Sequence, residues 1–273
     1  MLGACWDQVR AKGPLIHCIT NYVTINDVAN ALLACGASPV MADDPEEAEE
    51  VTALAAGLCI NIGTLHRHTI PAMFAAGERA NALGHPVVLD PVGAGSSALR
   101  THTALELIRT LRPAVIRCNM SEMKALTGRL GEARGVDAAP ADGVTEESLE
   151  GAVSFVKGAA RRLGTVAAVT GAIDLVSNGE TCFVIRNGRP EMGRITGTGC
   201  QLSALTTACA AANLEQPLEA AAAAVAAMWV AGELGWANMA PADGNAAYRT
   251  RVIDAVYHLD GEALERGAHY ELR

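Results

Sequence analysis

Residues 14–42, PLIHCITNYVTINDVANALLACGASPVMA, hold the pattern that decides the fold. The run PLIHCI at 14–19 is short, apolar and bounded by turn residues, as a buried strand would be. INDVANALLAC at 25–35 has helical patterning, and Gly36 supplies the stop. SPVMA at 38–42 reads as a second short strand. Strand, helix and strand in that order form the unit of a parallel sheet, joined by a right-handed crossover.

The same alternation extends along the chain. An acidic helix is expected from Pro45 to Ala56 and a third strand over 57–63 (GLCINIG). A helix over 70–83, ended by Gly84, leads to a fourth strand at 85–90 (HPVVLD). A helix near 100–111 precedes a fifth strand at 113–119 (PAVIRCN), and a helix over 148–163 precedes a sixth at 165–171 (TVAAVTG). Over 173–187 the character changes: Asn178-Gly179 sits between two β-rich runs and signals a hairpin. Residues beyond Cys200 read as mostly helical, and the polar, Gly/Pro-rich stretch 129–147 reads as a surface loop. The expected fold class is α/β, a mainly parallel central sheet covered by helices on both faces. No linker-like tract divides the chain, so one domain over 1–273 is expected.

Composition narrows the function classes. With 273 residues, half of them hydrophobic and 4% aromatic, the core must be built from Ala, Val, Leu and Ile. The net charge of −9 argues against duplex nucleic acid or an anionic membrane as the main partner, since both select basic faces. An anionic ligand needs only a local positive site. The eight cysteines form no CxxC pair and no zinc-ligand spacing, and most lie in apolar runs, which points to a reducing compartment. The N-terminal segment, with Asp7, Arg10 and Lys12, has no signal-peptide pattern. The apolar run Leu218–Gly232 is 15 residues long and contains Glu219; it reads as a buried or interface helix rather than a membrane span. The expectation is a soluble cytoplasmic protein.

In parallel sheets, ligands sit beyond the carboxyl ends of the strands, so the polar residues there are the candidates. They include Thr20-Asn21, Met41, Asn61, Gly63, Asp90–Gly95, Arg117–Glu122, Thr170-Gly171 and the segment before Cys200. GRITGTGCQLS at 193–203 offers a tight turn of Gly197, Thr198 and Gly199 whose amides can meet an anion at a helix N-terminus. The bland reading is a glycine-rich helix start with Thr198 as its cap. Cys200 in that position is expected to have a lowered thiol pKa. Asp90, before the small-residue loop PVGAG, reads either as an acid near phosphate or Mg²⁺ or as a turn cap. In RCNMSE at 117–122, Asn119 and Glu122 stand three apart and suit hydrated Mg²⁺. The alternative is a helix cap at Asn119 or Ser121 with Glu122 in the first turn, which leaves Arg117 unexplained. Arg117 suits a phosphate. His17 reads as a hydrogen-bonded structural residue; His66, His68 and the run Glu46, Glu47, Glu49 and Glu50 read as solvated surface.

Taken together, these segments resemble the hydroxyethylthiazole kinases of thiamin salvage, within the ribokinase-like superfamily. The matching stretches are 14–42, INIGTL at 60–65, VVLDPVGAG at 87–95, IRCNMSE at 116–122, AVTG at 168–171 and ITGTGCQLSA at 195–204. The resemblance implies a ribokinase-like three-layer α/β sandwich. The implied activity is ATP-dependent phosphorylation of a thiazole alcohol, with Mg²⁺ assisting and a homotrimer holding substrate pockets at subunit interfaces. By position, Met41 and Gly197 resemble thiazole contacts, and Arg117, Thr170 and Asn119 resemble the ATP side. Asp90 and Glu122 resemble the acids on the Mg²⁺ side, while Gly197, Thr198 and Gly199 form the anion hole. Cys200 occupies the place where many ribokinase-like enzymes carry an aspartate base, which leaves two routes open: a thiolate base, or a loose transfer needing little base help.

Overall fold

The computed structural model describes residues 1–128 and 143–273. Nine strands form one sheet in the order β2-β1-β3-β4-β5-β6-β7-β8-β9. The first six are β1 (Leu15–Ile19), β2 (Ser38–Val40), β3 (Gly57–Asn61), β4 (Val87–Asp90), β5 (Val115–Asn119) and β6 (Val166–Thr170). These pair in parallel. β7 (Asp174–Ser177), β8 (Cys182–Ile185) and β9 (Tyr270–Leu272) extend the sheet antiparallel. The Asn178-Gly179 hairpin joins β7 to β8 as expected, with Gly179 at φ 101°. The strand order turns around at β1, which has β2 on one side and β3 on the other. A crevice opens at such a point, beyond the strands' carboxyl ends.

Helices cover both faces. One layer holds α1 (Leu2–Lys12), α2 (Ile25–Cys35), α8 (Thr198–Ala212), α9 (Pro217–Ala237), α10 (Asn245–His258) and α11 (Gly261–Gly267). The other holds α3 (Ala48–Leu54), α4 (Thr69–Leu83), α5 (Ala98–Leu111), α6 (Met120–Leu126) and α7 (Leu149–Leu163). Because side chains alternate along a strand, each central strand feeds two cores. Cys18, Cys59, Val88, Val115 and Ala168 face the first layer, and Leu58, Ile60, Leu89, Ile116 and Val169 face the second.

The scarcity of aromatics is met by small side chains. In α9, Ala220–Ala224, Ala226 and Ala227 are fully buried, and the helix packs against α1, α8, α10 and the sheet. This helix is 21 residues long and apolar enough to cross a membrane, yet 72% of its most apolar window lies inside the fold. A helix buried on all sides has no need of an amphipathic stripe.

Most expected elements form, with ends moved by a few residues. Gly36, Gly84 and Gly164 close α2, α4 and α7 in the left-handed conformation. The acidic helix is shorter than expected, and β3 stops at Asn61, which leaves Gly63 in a loop. Of the expected loop 129–147, residues 129–142 lie outside the described residues. Two elements had no sequence expectation. α1 buries Leu2, Cys5, Trp6 and Val9, a helical stripe, and β9 adds a three-residue edge.

Candidate active site

Asp90 ends β4 and is fully buried. Its Oδ2 accepts three hydrogen bonds: from Arg117 Nη2 at 2.7 Å, Ser203 Oγ at 2.7 Å and Asn61 Nδ2 at 2.8 Å. Its Oδ1 is buried with no partner among the described residues. Asp90 therefore anchors an ion pair rather than a turn. The strand register explains the convergence, since Asn61 pairs with Asp90 across β3 and β4. Arg117 projects from β5, and its Nε also donates to Ser203 Oγ at 2.9 Å. Ser203 thus sits between the two charges. It lies one helical turn past Gly199, a spacing visible in the sequence.

A second chain of hydrogen bonds leads from this pair to the thiol. Asn61 Oδ1 accepts from Asn21 Nδ2 at 3.1 Å and from the Gly63 amide at 2.9 Å, while Thr24 Oγ1 donates to Asn21 Oδ1 at 3.1 Å. Both amide side chains also point N–H groups at Cys200 Sγ, at 3.0 Å from Asn21 and 3.3 Å from Asn61. The expected lowering of the Cys200 pKa does not hold. Burial, and then the nearby Asp90 carboxylate, push the thiol up, against the smaller opposing pull of Thr24, Arg117 and Asn21.

The glycine turn takes its shape from its neighbours. Gly197, not Thr198, is the N-cap of α8, with φ 88°; Thr198 is the first helical residue. A Cβ on Gly197 would stand 2.4 Å from Thr24 Cγ2, and one on Gly199 would stand 2.8 Å from Arg117 Nη2. Small residues therefore let the turn close over both Thr24 and the guanidinium.

Asn119 and Glu122 form a capping box on α6, as the bland reading had it. Glu122 N donates to Asn119 Oδ1 at 2.9 Å, and Asn119 N donates to Glu122 Oε2 at 2.8 Å. Glu122 Oε1 also accepts from the Gly93 amide at 2.7 Å, tying the PVGAG loop to the helix. Burial, followed by repulsion from Asp90, raises the Glu122 carboxyl to about 7.

These groups line two adjoining cavities. The first, of about 500 Å³, is walled by Asn21, Val23, Thr24, Asp90, Glu122 and Cys200 together with the 193–199 segment. The second, of about 550 Å³, is walled by Thr170, Gly171, Asn187–Pro190 and Trp229. Arg117, Asn119, Gly193, Thr198 and Gly199 border both. Thr170 Oγ1 accepts from Arg117 Nη1 at 3.4 Å. Glu233 on α9 holds the far wall, accepting from the Gly188 amide at 2.7 Å and from Asn187 Nδ2 at 3.1 Å. Asn187 and Trp229 carried no readable signal, because they come from a loop and a core helix. Met41 is half-buried against the first core and lines neither cavity.

The remaining candidates lie outside the site. His17 is buried between Thr52 Oγ1 at 2.8 Å and the Ala42 carbonyl at 2.7 Å, and burial lowers its pKa. His66 and His68 are exposed and stack on each other, and Glu46, Glu47, Glu49 and Glu50 are exposed. Among the described residues, all eight cysteines are unbridged, and no group of three or more His, Cys, Asp or Glu side chains forms a metal cage.

Comparison with known proteins bears on the same architecture. The model of the hydroxyethylthiazole kinase family matches residues 6–262. A hydroxyethylthiazole kinase of Clostridium acetobutylicum is 51% identical over 271 residues, covering 99% of each chain. The solved structure of a hydroxyethylthiazole kinase from Pyrococcus horikoshii is 38% identical, covers 100% of this chain and 98% of its own, and superposes with a TM-score of 0.86. The ADP complex of Bacillus subtilis pyridoxal kinase, 19% identical with a TM-score of 0.56 over 81% of this chain and 91% of its own, shares the ribokinase-like fold. With a matching family model over nearly its whole length and a site assembled at the carboxyl ends of β1, β3, β4, β5 and β6, the chain belongs to the hydroxyethylthiazole kinase family.

Proposed function

We propose that this chain, working as one kinase domain over 1–273, transfers the γ-phosphoryl group of ATP to the hydroxyl of 5-(2-hydroxyethyl)-4-methylthiazole. The observation that carries this reading is the meeting of two cavities at Arg117 and the Thr198-Gly199 amides. Such a junction holds an acceptor alcohol on one side and a nucleotide on the other, with the transferring group between them. Catalysis of this kind is mostly positioning and charge stabilisation.

Each residue then has a task. Arg117, fixed by Asp90 and Ser203, presents Nη1 toward Thr170 and the nucleotide cavity, with Asn119 beside it. The amides of the Gly197–Gly199 turn, at the positive end of α8, receive the phosphoryl oxygens. Asp90 Oδ1, buried and unpartnered, and Glu122 nearby fit a hydrated Mg²⁺ that takes most of its ligands from phosphates and water. Bound there, Mg²⁺ supplies charge neutralisation of the triphosphate. Cys200 stays a thiol at neutral pH, held by Asn21 and Asn61, so it positions the acceptor hydroxyl and the transfer proceeds with little base help.

Met41 and Val23 bear on assembly. Val23 borders the acceptor cavity yet is 68% exposed, and Met41 lies outside it. A homotrimer whose neighbouring subunit closes this mouth would complete the apolar wall for the thiazole, with Gly197 contributed from within the cavity and Met41 from across the interface. The test is ADP release with Mg-ATP, offering the thiazole alcohol and hydroxymethylpyrimidine separately. Thiazole-dependent turnover abolished by EDTA is expected. Turnover with the pyrimidine alone would overturn the substrate, and binding of the thiazole without ADP release would replace the enzyme by a binding protein.

A further inference from the structure

Three cations border the two cavities: Arg117, Arg189 and Arg194. Two are already committed. Arg117 faces Asp90 Oδ2 at 2.7 Å in a buried pair. Arg189 reaches Glu191 at 3.2 and 3.3 Å and lies over the Trp236 ring at 5.0 Å. Arg194 is exposed and makes no hydrogen bond or ion pair among the described residues. The Glu191 carboxylate is held down by its own backbone amide and by Arg189 before Arg194, so Arg194 is only weakly drawn to it.

The charge balance gives that free cation a purpose. The acceptor cavity is bordered by two carboxyl groups, Asp90 and Glu122, and by two guanidinium groups, of which Arg117 is paired with Asp90 and Arg194 is not. A triphosphate entering the junction adds several negative charges, and Arg117 is largely spent on Asp90. Arg194 follows Gly193, which borders both cavities and has open space where a Cβ would stand. The short 3₁₀ turn Pro190–Arg194 leads directly into the glycine turn. Arg194 thus borders the acceptor cavity three residues before the Gly197 N-cap of α8, within reach of a phosphoryl group held at the glycine turn.

Resting on the proposed kinase reaction, we infer that Arg194 is a catalytic residue that clamps the γ-phosphoryl group during transfer, strengthening its contact as negative charge develops on the equatorial oxygens. The bond broken is that from the γ-phosphorus to the β–γ bridging oxygen, which leaves with ADP. The bond formed is from the γ-phosphorus to the acceptor oxygen, whose proton passes to solvent; Arg194 exchanges no proton.

The experiment compares wild type, Arg194→Ala and Arg194→Lys in the ADP-release assay, with and without added methylguanidinium. Arg194→Ala is expected to lower kcat about 100-fold with both KM values within about threefold of wild type, because removing a transition-state charge donor acts on kcat. Arg194→Lys should retain intermediate turnover, and methylguanidinium should restore part of the Ala variant's kcat. An Ala variant within about threefold of wild-type kcat overturns the inference, as does a raised KM for ATP at unchanged kcat, which would mark ground-state binding only. Wild type that releases no ADP with the thiazole overturns the reaction and this inference together. The side chain is exposed and unbonded, so the thermal midpoint should not move.

Discussion

The two cavities meet at Arg117 but are built differently. On the acceptor side Thr24, Asn21 and Asn61 hand hydrogen bonds along to Asp90, and Ser203 ties Asp90 to Arg117 a second time. On the nucleotide side Asp174 Oδ2 and Trp229 Nε1 are buried without a partner. The acceptor side strands one atom too, Asp90 Oδ1, but the other oxygen of that carboxylate takes three hydrogen bonds, and any alternative geometry would strand those donors as well. The stranded groups of the nucleotide wall carry no such penalty against shifting. The acceptor side therefore arrives pre-organised, whereas the nucleotide side retains freedom to adjust.

The sharpest way to break this contrast is to remove Asp90. Asp90→Ala leaves Arg117 buried without its counter-charge and strips three donors of their acceptor. A loss of about 3–5 kcal/mol in stability is expected, read by denaturant unfolding. Turnover should fall about 10³-fold, as Arg117 loses its aim. Adding Arg117→Met to the same chain should recover much of the stability and none of the activity, since the stranded charge goes too. An Asp90→Ala protein with nearly native stability would mean the network is not what fixes the acceptor side.

Gly199→Ala probes the same network more gently. Its Cβ would lie 2.8 Å from Arg117 Nη2, so the guanidinium must shift. A displacement near 1 Å at a reacting centre can cost about 100-fold in rate, and kcat should fall by roughly that factor with the fold intact. Unchanged kcat would show that Arg117 has slack.

Cys200 tests what the network does with a different acceptor. Its thiol is pushed up by burial and by Asp90, so it holds its proton at neutral pH. Cys200→Asp introduces a carboxylate facing the same two amide donors, Asn21 and Asn61, and a carboxylate accepts a proton far more readily. Turnover is expected to be retained or to rise by a fewfold, with Cys200→Ala below both. An Asp variant slower than the Ala variant would mean that the second negative charge beside Asp90 outweighs any help as a base.

These effects also separate what the sequence made legible from what it did not. Strands ending in polar residues were readable, because buried parallel strands are short apolar runs and their last residues must turn toward the rim. Asp90, Arg117, Asn119, Glu122 and the glycine turn all stand at that rim by their place in the sequence. The direction of the Cys200 shift is not legible locally: the helix N-terminus is a sequence signal, whereas burial and Asp90 act through the fold and outweigh it. Ser203 and Trp229 carry no site signal for the same reason: α8 and α9 read as core, and nothing in a core helix marks which residue reaches a cavity; Asn187 sits in the loop after β8, past the antiparallel hairpin rather than at the end of a parallel strand. The capping box at Asn119 was legible as one of two alternatives, and the geometry allows both to stand, since Glu122 caps α6 and borders the cavity at once.

The smallest expected effect lies on the nucleotide side, at Asp174. Its Oδ1 accepts from the Gly171 amide at 2.9 Å, holding the turn after β6, and its other oxygen is stranded near Trp229. Burial raises this carboxyl to about 8, with the Gly171 amide as the main opposing pull. A folded-state pKa above the unfolded one means the native protein binds the proton more tightly. That contribution to stability is full below the unfolded value and is lost as pH rises through about 8. Asp174→Asn keeps an oxygen for Gly171 and cannot ionise, so its own profile lacks this fall. The amide's added N–H groups impose a cost that does not depend on pH. The thermal midpoint of the variant minus that of wild type should therefore climb by several degrees between about pH 5 and pH 8.5, whatever its sign at the start. The KM for ATP should move by no more than about threefold, because the turn stays held. A flat difference across that range would mean the carboxylate finds its hydrogen bond from Trp229 on ionising, and the nucleotide wall would then be as well satisfied as the acceptor side.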